Sequence, residues 1–180
     1  MAYINYQLKL TGVITLIYLL IIAAIAVTDI IIKNHIERYY WNENSDRYIF
    51  GRSIRIHKLH NYGGFLHSLQ NHFRLLKIFS TILIIITAIA LCIAFPKKGY
   101  KIRKLGLALI LGGALSNEYD RYLKGSVTDY FSINIPFIKK IVFNIGDIAV
   151  FIGIILTFFT GSSGKTFTGS SVKADKVSDD

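Results

Sequence analysis

A single cysteine, Cys92, stands in 180 residues, so no intrachain disulfide can form, and its place inside an apolar run reads as that of a small packed residue. There is no H-E-x-x-H pattern to hold zinc and no G-x-S-x-G elbow to expose a nucleophilic serine. Ser116 beside Asn117 and Ser126 near Lys124 are the only suggestive serines, and both read as packing or loop residues. His57, His60, His67 and His72 lie close in sequence, but on a polar segment where solvated or headgroup-facing imidazoles are ordinary. Acidic side chains are few: 11 Asp and Glu stand against 21 Lys and Arg, a net charge of +10. The cations form no basic helix face beside exposed aromatics, which argues against nucleic acid; they lie between apolar runs, where anionic lipid headgroups are the natural partners. No internal repeat is visible.

What is abundant is apolar surface, 52% of residues. Runs near 10–32, 75–95, 102–119 and 141–160 each approach the roughly 20 helical residues that cross a bilayer core of about 30 Å. The expected fold is a mainly α membrane protein of four transmembrane helices. The third run is the least apolar, and its Gly112-Gly113 pair would let a neighbouring helix approach closely, so it is expected to be lined by protein more than by lipid. The first run imitates a secretory signal peptide ending at Ala24-Ile25-Ala26, but it continues through Asp29 and Lys33, one helical turn apart, which favours a retained helix. Between the first two runs, residues 53–57 alternate apolar and polar side chains like a half-buried strand, and Tyr39, Tyr40 and Trp41 suit an interfacial belt. A small extracytoplasmic β-rich element is therefore expected between helices 1 and 2. Residues 1–160 read as one domain, with loop 34–74 outside; residues 161–180, rich in Ser, Gly, Lys and Asp, read as a disordered cytoplasmic tail. Five basic residues crowd positions 96–104 without an acid, which places that loop and both termini in the cytoplasm.

Ionisable groups inside a membrane cost roughly 2.5 to 3.5 kcal/mol each on insertion scales, and are functional candidates for that reason. Here they gather on one side: Asp29 and Lys33 end the first span, Asn117, Asp120 and Arg121 end the third, Asp129 follows in the loop, and Asn144 and Asp147 open the fourth. A turn around Asn134-Ile135-Pro136 can fold Asp147 back beside Asp129. Two carboxylates at a partly dry site share one proton, and such a pair can activate water while protonating a peptide carbonyl. The alternative, equally consistent with the polar cluster, is a membrane carrier or assembly factor that binds without cleaving.

The motifs bear on this choice. Gly112-Gly113-Ala114 through Asn117 and Asp120-Arg121, then Gly125-Ser126-Val127-Thr128-Asp129-Tyr130, then Phe143-Asn144-Ile145-Gly146-Asp147 resemble, in order, the G-G-A-x-x-N-x-x-D-R, G-x-V-x-D-[FY] and F-N-x-[AG]-D motifs of bacterial lipoprotein signal peptidases. Asp29 with Lys33 is similar to that family's D-x-x-x-K element, and Asn61-Tyr62-Gly63-Gly64-Phe65 to its N-x-G-x-[AF] element. The resemblance implies an aspartyl endopeptidase of the inner membrane, active near the extracytoplasmic surface. It would cut diacylglyceryl-modified prolipoproteins on the amino side of the modified cysteine, with Asp129 and Asp147 as the catalytic dyad. Asn61, Asn117, Arg121 and Asn144 would orient substrate and carboxylates, with Asp29, Lys33 and Asp120 in support. No metal or other cofactor is implied, and the expected partners are prolipoprotein substrates and lipids, with the chain a monomer. Glu118 departs from the pattern where an apolar residue is expected, and Thr128 where an aliphatic one is.

Overall fold

The computed structural model describes residues 2–39, 46–63, 73–136 and 138–161, the side chains of 2–11 aside. Trp41, Gly64, Phe65, His67, His72 and the tail beyond Gly161 lie outside the described residues. The described residues are mainly helical: α1 (Ala2–Tyr39), α2 (Phe73–Ala94), α3 (Lys101–Leu123) and α4 (Ile145–Gly161), with three short strands among them, β1 (Arg47–Ile49), β2 (Ile54–Asn61) and β3 (Val127–Ile133). Among the described residues two helices, α1 from Gly12 onward and α2, are long and apolar enough to cross a membrane. The first helix extends well past both expected ends, and α4 starts at Ile145 rather than Ile141, because residues 141–144 are drawn into an extended segment beside β3.

Helix α3 is the hub and packs on the other three. Its glycines decide how closely. A Cβ on Gly112 would meet the Ile25 side chain and the Ile22 carbonyl of α1; on Gly113 it would collide with the backbone of Gly146 in α4; on Gly106, with Thr157 and Gly153 of α4. The sequence expectation of close approach at Gly112-Gly113 holds, on two different neighbours. Leu91 and Ala94 of α2 meet Leu107 and Leu111 of α3 in a small apolar core. Lys104, buried, donates from Nζ to the carbonyls of Phe95 and Lys97 at 2.9 Å each, satisfying acceptors left over at the end of α2. The polar residues lie inside and the large apolar ones outside: Leu16, Leu20, Ile82, Ile86, Phe151 and Phe158 are exposed, while Asp29, Lys33, Asp120 and Asn144 are fully buried. Cys92, expected to be packed, is also exposed, on the outer side of α2.

The expected β element exists but is not confined to the segment between the first two helices. The sheet runs in the order β1-β2-β3, all antiparallel, and its third strand comes from the chain that follows α3. The sequence places Asp129 in a loop, but Val127 to Ile133 is a strand whose motif residues break apolar alternation. Both of its faces are covered, so no alternation is needed. Leu59 pairs with Asp129, His60 with Thr128 and Asn61 with Val127. After β3 the chain turns at residues 134–136 and 138–140 and returns, Phe143 N–H donating to the Phe131 carbonyl at 2.7 Å, so that Asp147 comes back toward Asp129 as the turn residues suggest.

The Gly113 contact carries a prediction. In Gly113→Ala the new methyl would lie 2.9 Å from the Gly146 carbonyl carbon, so α3 and α4 must separate. Overpacking of this kind costs about 1–3 kcal/mol, and the expected result is a lowered unfolding midpoint in detergent. Gly12→Ala, also helical but with nothing within 4 Å of its Cβ, is the control and should not lower it.

Candidate active site

Asn144 is the N-cap of α4. Its side-chain Oδ1 accepts the Asp147 N–H at 2.8 Å, while Asp147 Oδ2 accepts the Asn144 N–H at 3.2 Å. This reciprocal capping box, spelled Asn144-Ile145-Gly146-Asp147, fixes a carboxylate on the first turn of the helix. The remaining Asn144 amide donates to Asp129 Oδ1 at 2.7 Å and to Asn117 Oδ1 at 3.1 Å. One asparagine thus touches both carboxylates. Asn117, from α3, donates to Asp147 Oδ1 at 2.8 Å, and Asn61, from the end of β2, donates to Asp129 Oδ2 at 3.0 Å. The Asn61 side chain is held in turn by the Gly63 N–H at 3.2 Å.

Beneath lies a buried charge cluster. Lys33 sits 2.9 Å from Asp29 Oδ2 and 3.5 Å from Asp120 Oδ2, and donates to Ser116 Oγ at 3.1 Å and Asn117 Oδ1 at 2.7 Å. Asp29 also accepts from Ser116 at 2.6 Å, from Tyr130 Oη at 2.9 Å and from the Ile145 N–H at 3.1 Å. Asp29 therefore ties α1 to α3, β3 and the start of α4. Asp120 faces the same cluster rather than the cleft, pairing with Lys124 at 2.8 Å and accepting the Thr128 N–H at 3.1 Å. Ser116, one of the two serines weighed above, is buried in these bonds as a tie between helices. Tyr130 belongs to a matched motif, but its link to Asp29 is missed by sequence reasoning, since the two are 101 positions apart.

Asp129 and Asp147 open into a cleft of about 850 Å³. Leu59, Phe131, Ile141, Phe143, Ile148 and Phe151 give it an apolar wall, and Asn61, Arg121 and Lys140 also reach it. Burial first, and then the charge of Asp147, push the Asp129 carboxyl up to about 7, against the opposing hydrogen bonds from Asn61 and Asn144. Arg121 lines the cleft but bonds neither carboxylate through any described contact; its Nη1 donates to Glu118 at 3.2 Å. On the far side of the sheet Glu37 takes His60 at 2.8 Å and Thr128 at 2.7 Å, which explains the hydroxyl where an aliphatic residue is expected. Of the histidines weighed as metal ligands, His57 lies on β2 and His60 is engaged by Glu37; among the described residues no group of three or more His, Cys, Asp or Glu could hold a metal ion.

Residues 21–161 match the family model described as Signal peptidase (SPase) II. The lipoprotein signal peptidase of Wigglesworthia glossinidia brevipalpis is 34% identical over 142 residues, 78% of this chain and 90% of that protein. The lipoprotein signal peptidase of Aquifex aeolicus is 33% identical over 154 residues, 80% of this chain and 87% of its own. A bacterial membrane enzyme solved by the in meso method superposes with a TM-score of 0.68 at 26% identity, over 86% of this chain and 94% of that one.

Proposed function

Because this chain belongs to the signal peptidase II family, we propose that it is a four-span aspartyl endopeptidase that removes signal peptides from diacylglyceryl-modified prolipoproteins, with Asp129 and Asp147 as its catalytic pair. One observation carries the mechanism: two carboxyl groups, held by the same asparagine, face a single largely apolar cleft. Burial and the neighbouring charge push the Asp129 carboxyl up to about 7, so the two carboxyls titrate as a pair that shares one proton. The ionised member takes a proton from water as the water oxygen bonds to the scissile carbonyl carbon, and the protonated member gives its proton to the carbonyl oxygen. The tetrahedral diol then collapses: the C–N bond breaks, a proton passes to the departing amine, and the pair regains its single proton. The products are a signal peptide ending in a carboxylate and a lipoprotein beginning with the free amine of its lipidated cysteine.

The apolar outer faces of α1, α2 and α4 support a bilayer setting, with the sheet and cleft at the extracytoplasmic surface of the inner membrane and both termini inside. The acyl chains of the substrate would keep the scissile bond at that level. Residues 1–160 act as one monomeric unit without metal or cofactor. Purified protein in detergent, given a diacylated and an unmodified prolipoprotein, tests the reading: only the diacylated one should be cut, on the amino side of its cysteine. Equal cutting of both, or of neither, would contradict it.

The pH dependence follows from the shared proton. A raised carboxyl keeps its proton as pH climbs and loses it through about 7, after which both members are charged and no acid remains. The expected kcat/KM therefore falls on the alkaline side with a midpoint near 7, measured with the lipopeptide at fixed ionic strength.

A further inference from the structure

Glu118 stands where the family pattern expects an apolar residue, and the structure gives it an unusual set of partners. Its carboxylate is nearly buried between α2 and α3. It accepts the Ser80 hydroxyl at 2.5 Å and the Thr81 hydroxyl at 2.6 Å, both from α2. One turn along α3 it holds Arg121, whose Nη1 donates to Glu118 Oε2 at 3.2 Å. Thr81 is also 3.2 Å from the Tyr122 hydroxyl, and Lys77 lies 3.6 Å from the centre of the Tyr122 ring, so this end of α2 is fastened to α3 by polar contacts rather than by apolar packing alone. None of these side chains except Arg121 lines the cleft.

Arginine has five N–H donors in a rigid plane, and fixing one nitrogen sets the direction of the others. With Nη1 turned to Glu118, Arg121 remains on the cleft wall with Asp129 and Asp147, and its buried Nε has no hydrogen-bond partner among the described residues. The guanidinium donors that Glu118 does not take are left for a carbonyl oxygen entering the cleft that Arg121 lines. We propose that Glu118 is the positioning residue of Arg121: braced by Ser80 and Thr81, it aims the guanidinium at a backbone or ester carbonyl of the substrate entering the cleft. The inference rests on the cleft being the peptidase site proposed above. It makes binding in this chain depend on the docking of α2 against α3, through a carboxylate at a position of the matched motif where an apolar residue is expected.

The test uses the full chain in detergent with a diacylated lipopeptide spanning a cleavage site. Glu118→Leu, which restores the apolar residue the pattern expects, should raise KM about tenfold and leave kcat within about threefold, the signature of lost binding rather than lost chemistry. Thr81→Val keeps shape and removes one brace, and should move KM the same way by less. In an Arg121→Ala background Glu118→Leu should add nothing further, since its effect runs through the guanidinium. An unchanged KM in Glu118→Leu, or a KM effect that persists undiminished without Arg121, would overturn the proposal. Lipopeptide affinity measured in an Asp129→Asn background separates the two readings. If the wild-type chain cut nothing while Glu118→Leu still weakened binding only when Arg121 is present, the peptidase reading would fall and the positioning role would stand.

Discussion

Lys33→Met is expected to lower the stability of the folded chain by about 3–5 kcal/mol, the usual penalty for removing one partner of a buried ion pair. Lys33 is wholly buried, and its ammonium neutralises Asp29 at 2.9 Å and Asp120 at 3.5 Å. Asp120 keeps Lys124 in the variant, but Asp29 has no second cation among its described contacts. It must then stay charged in a dry interior or take up a proton, and either cost falls on the folded state. Lys33→Met combined with Asp29→Asn should recover most of the loss, since Asn removes the charge and keeps an oxygen for Tyr130, Ser116 or the Ile145 N–H. Unfolding midpoints in detergent check both. A single variant as stable as wild type would show that Asp29 is neutral in the native protein and that the pair is not ionic.

Asp129→Asn and Asp147→Asn should each reduce kcat by about 10²- to 10⁴-fold, the range that positioned acids and bases contribute. Asparagine has the shape of aspartate but neither accepts the proton of the attacking water nor supplies one to the carbonyl. The loss therefore belongs to the transition state, and lipopeptide affinity should stay within about twofold. A small stability cost accompanies each change. Asp147 offers one oxygen to Asn117 and the other to the Asn144 N–H, and Asp129 divides its oxygens between Asn144 and Asn61. An amide has one such oxygen, so one bond is lost, worth about 1 kcal/mol. A carrier using the same cluster for binding alone would show the opposite pattern, with changed affinity and no turnover to lose.

Much of this architecture can be read from the order of residues, and what cannot has physical reasons. The apolar runs locate the four helices, two of which are, among the described residues, long and apolar enough to cross a membrane. Their ends are harder: α1 carries polar residues past Lys33, and hydropathy ends where the helix does not. The polar residues named from spacing and motif do converge, because the C-terminal parts of α1 and α3 and the start of α4 bring Asp29, Asn117, Asn144 and Asp147 together. The roles of Tyr130 and Glu118 are not legible, since each depends on a partner far along the chain, Asp29 for one and Ser80 with Thr81 for the other. Arg121 shares a helical face with Asn117, yet its bond goes to Glu118, because a carboxylate three residues back is within easier reach than the cleft floor. The third strand is not legible for a related reason: a seven-residue strand carrying a buried Thr, Asp and Ser has the composition of a loop.

The central claim is that two carboxyl groups work as one unit. Single-turnover cleavage of a diacylated prolipoprotein by wild type, Asp129→Asn, Asp147→Asn and the double variant tests it most directly. Each single variant should fall to the residual rate of the double, because half of an acid–base pair has no function alone. One single variant cleaving within about tenfold of wild type, a barrier change of only about 1.4 kcal/mol, would contradict the two-carboxylate mechanism for this protein.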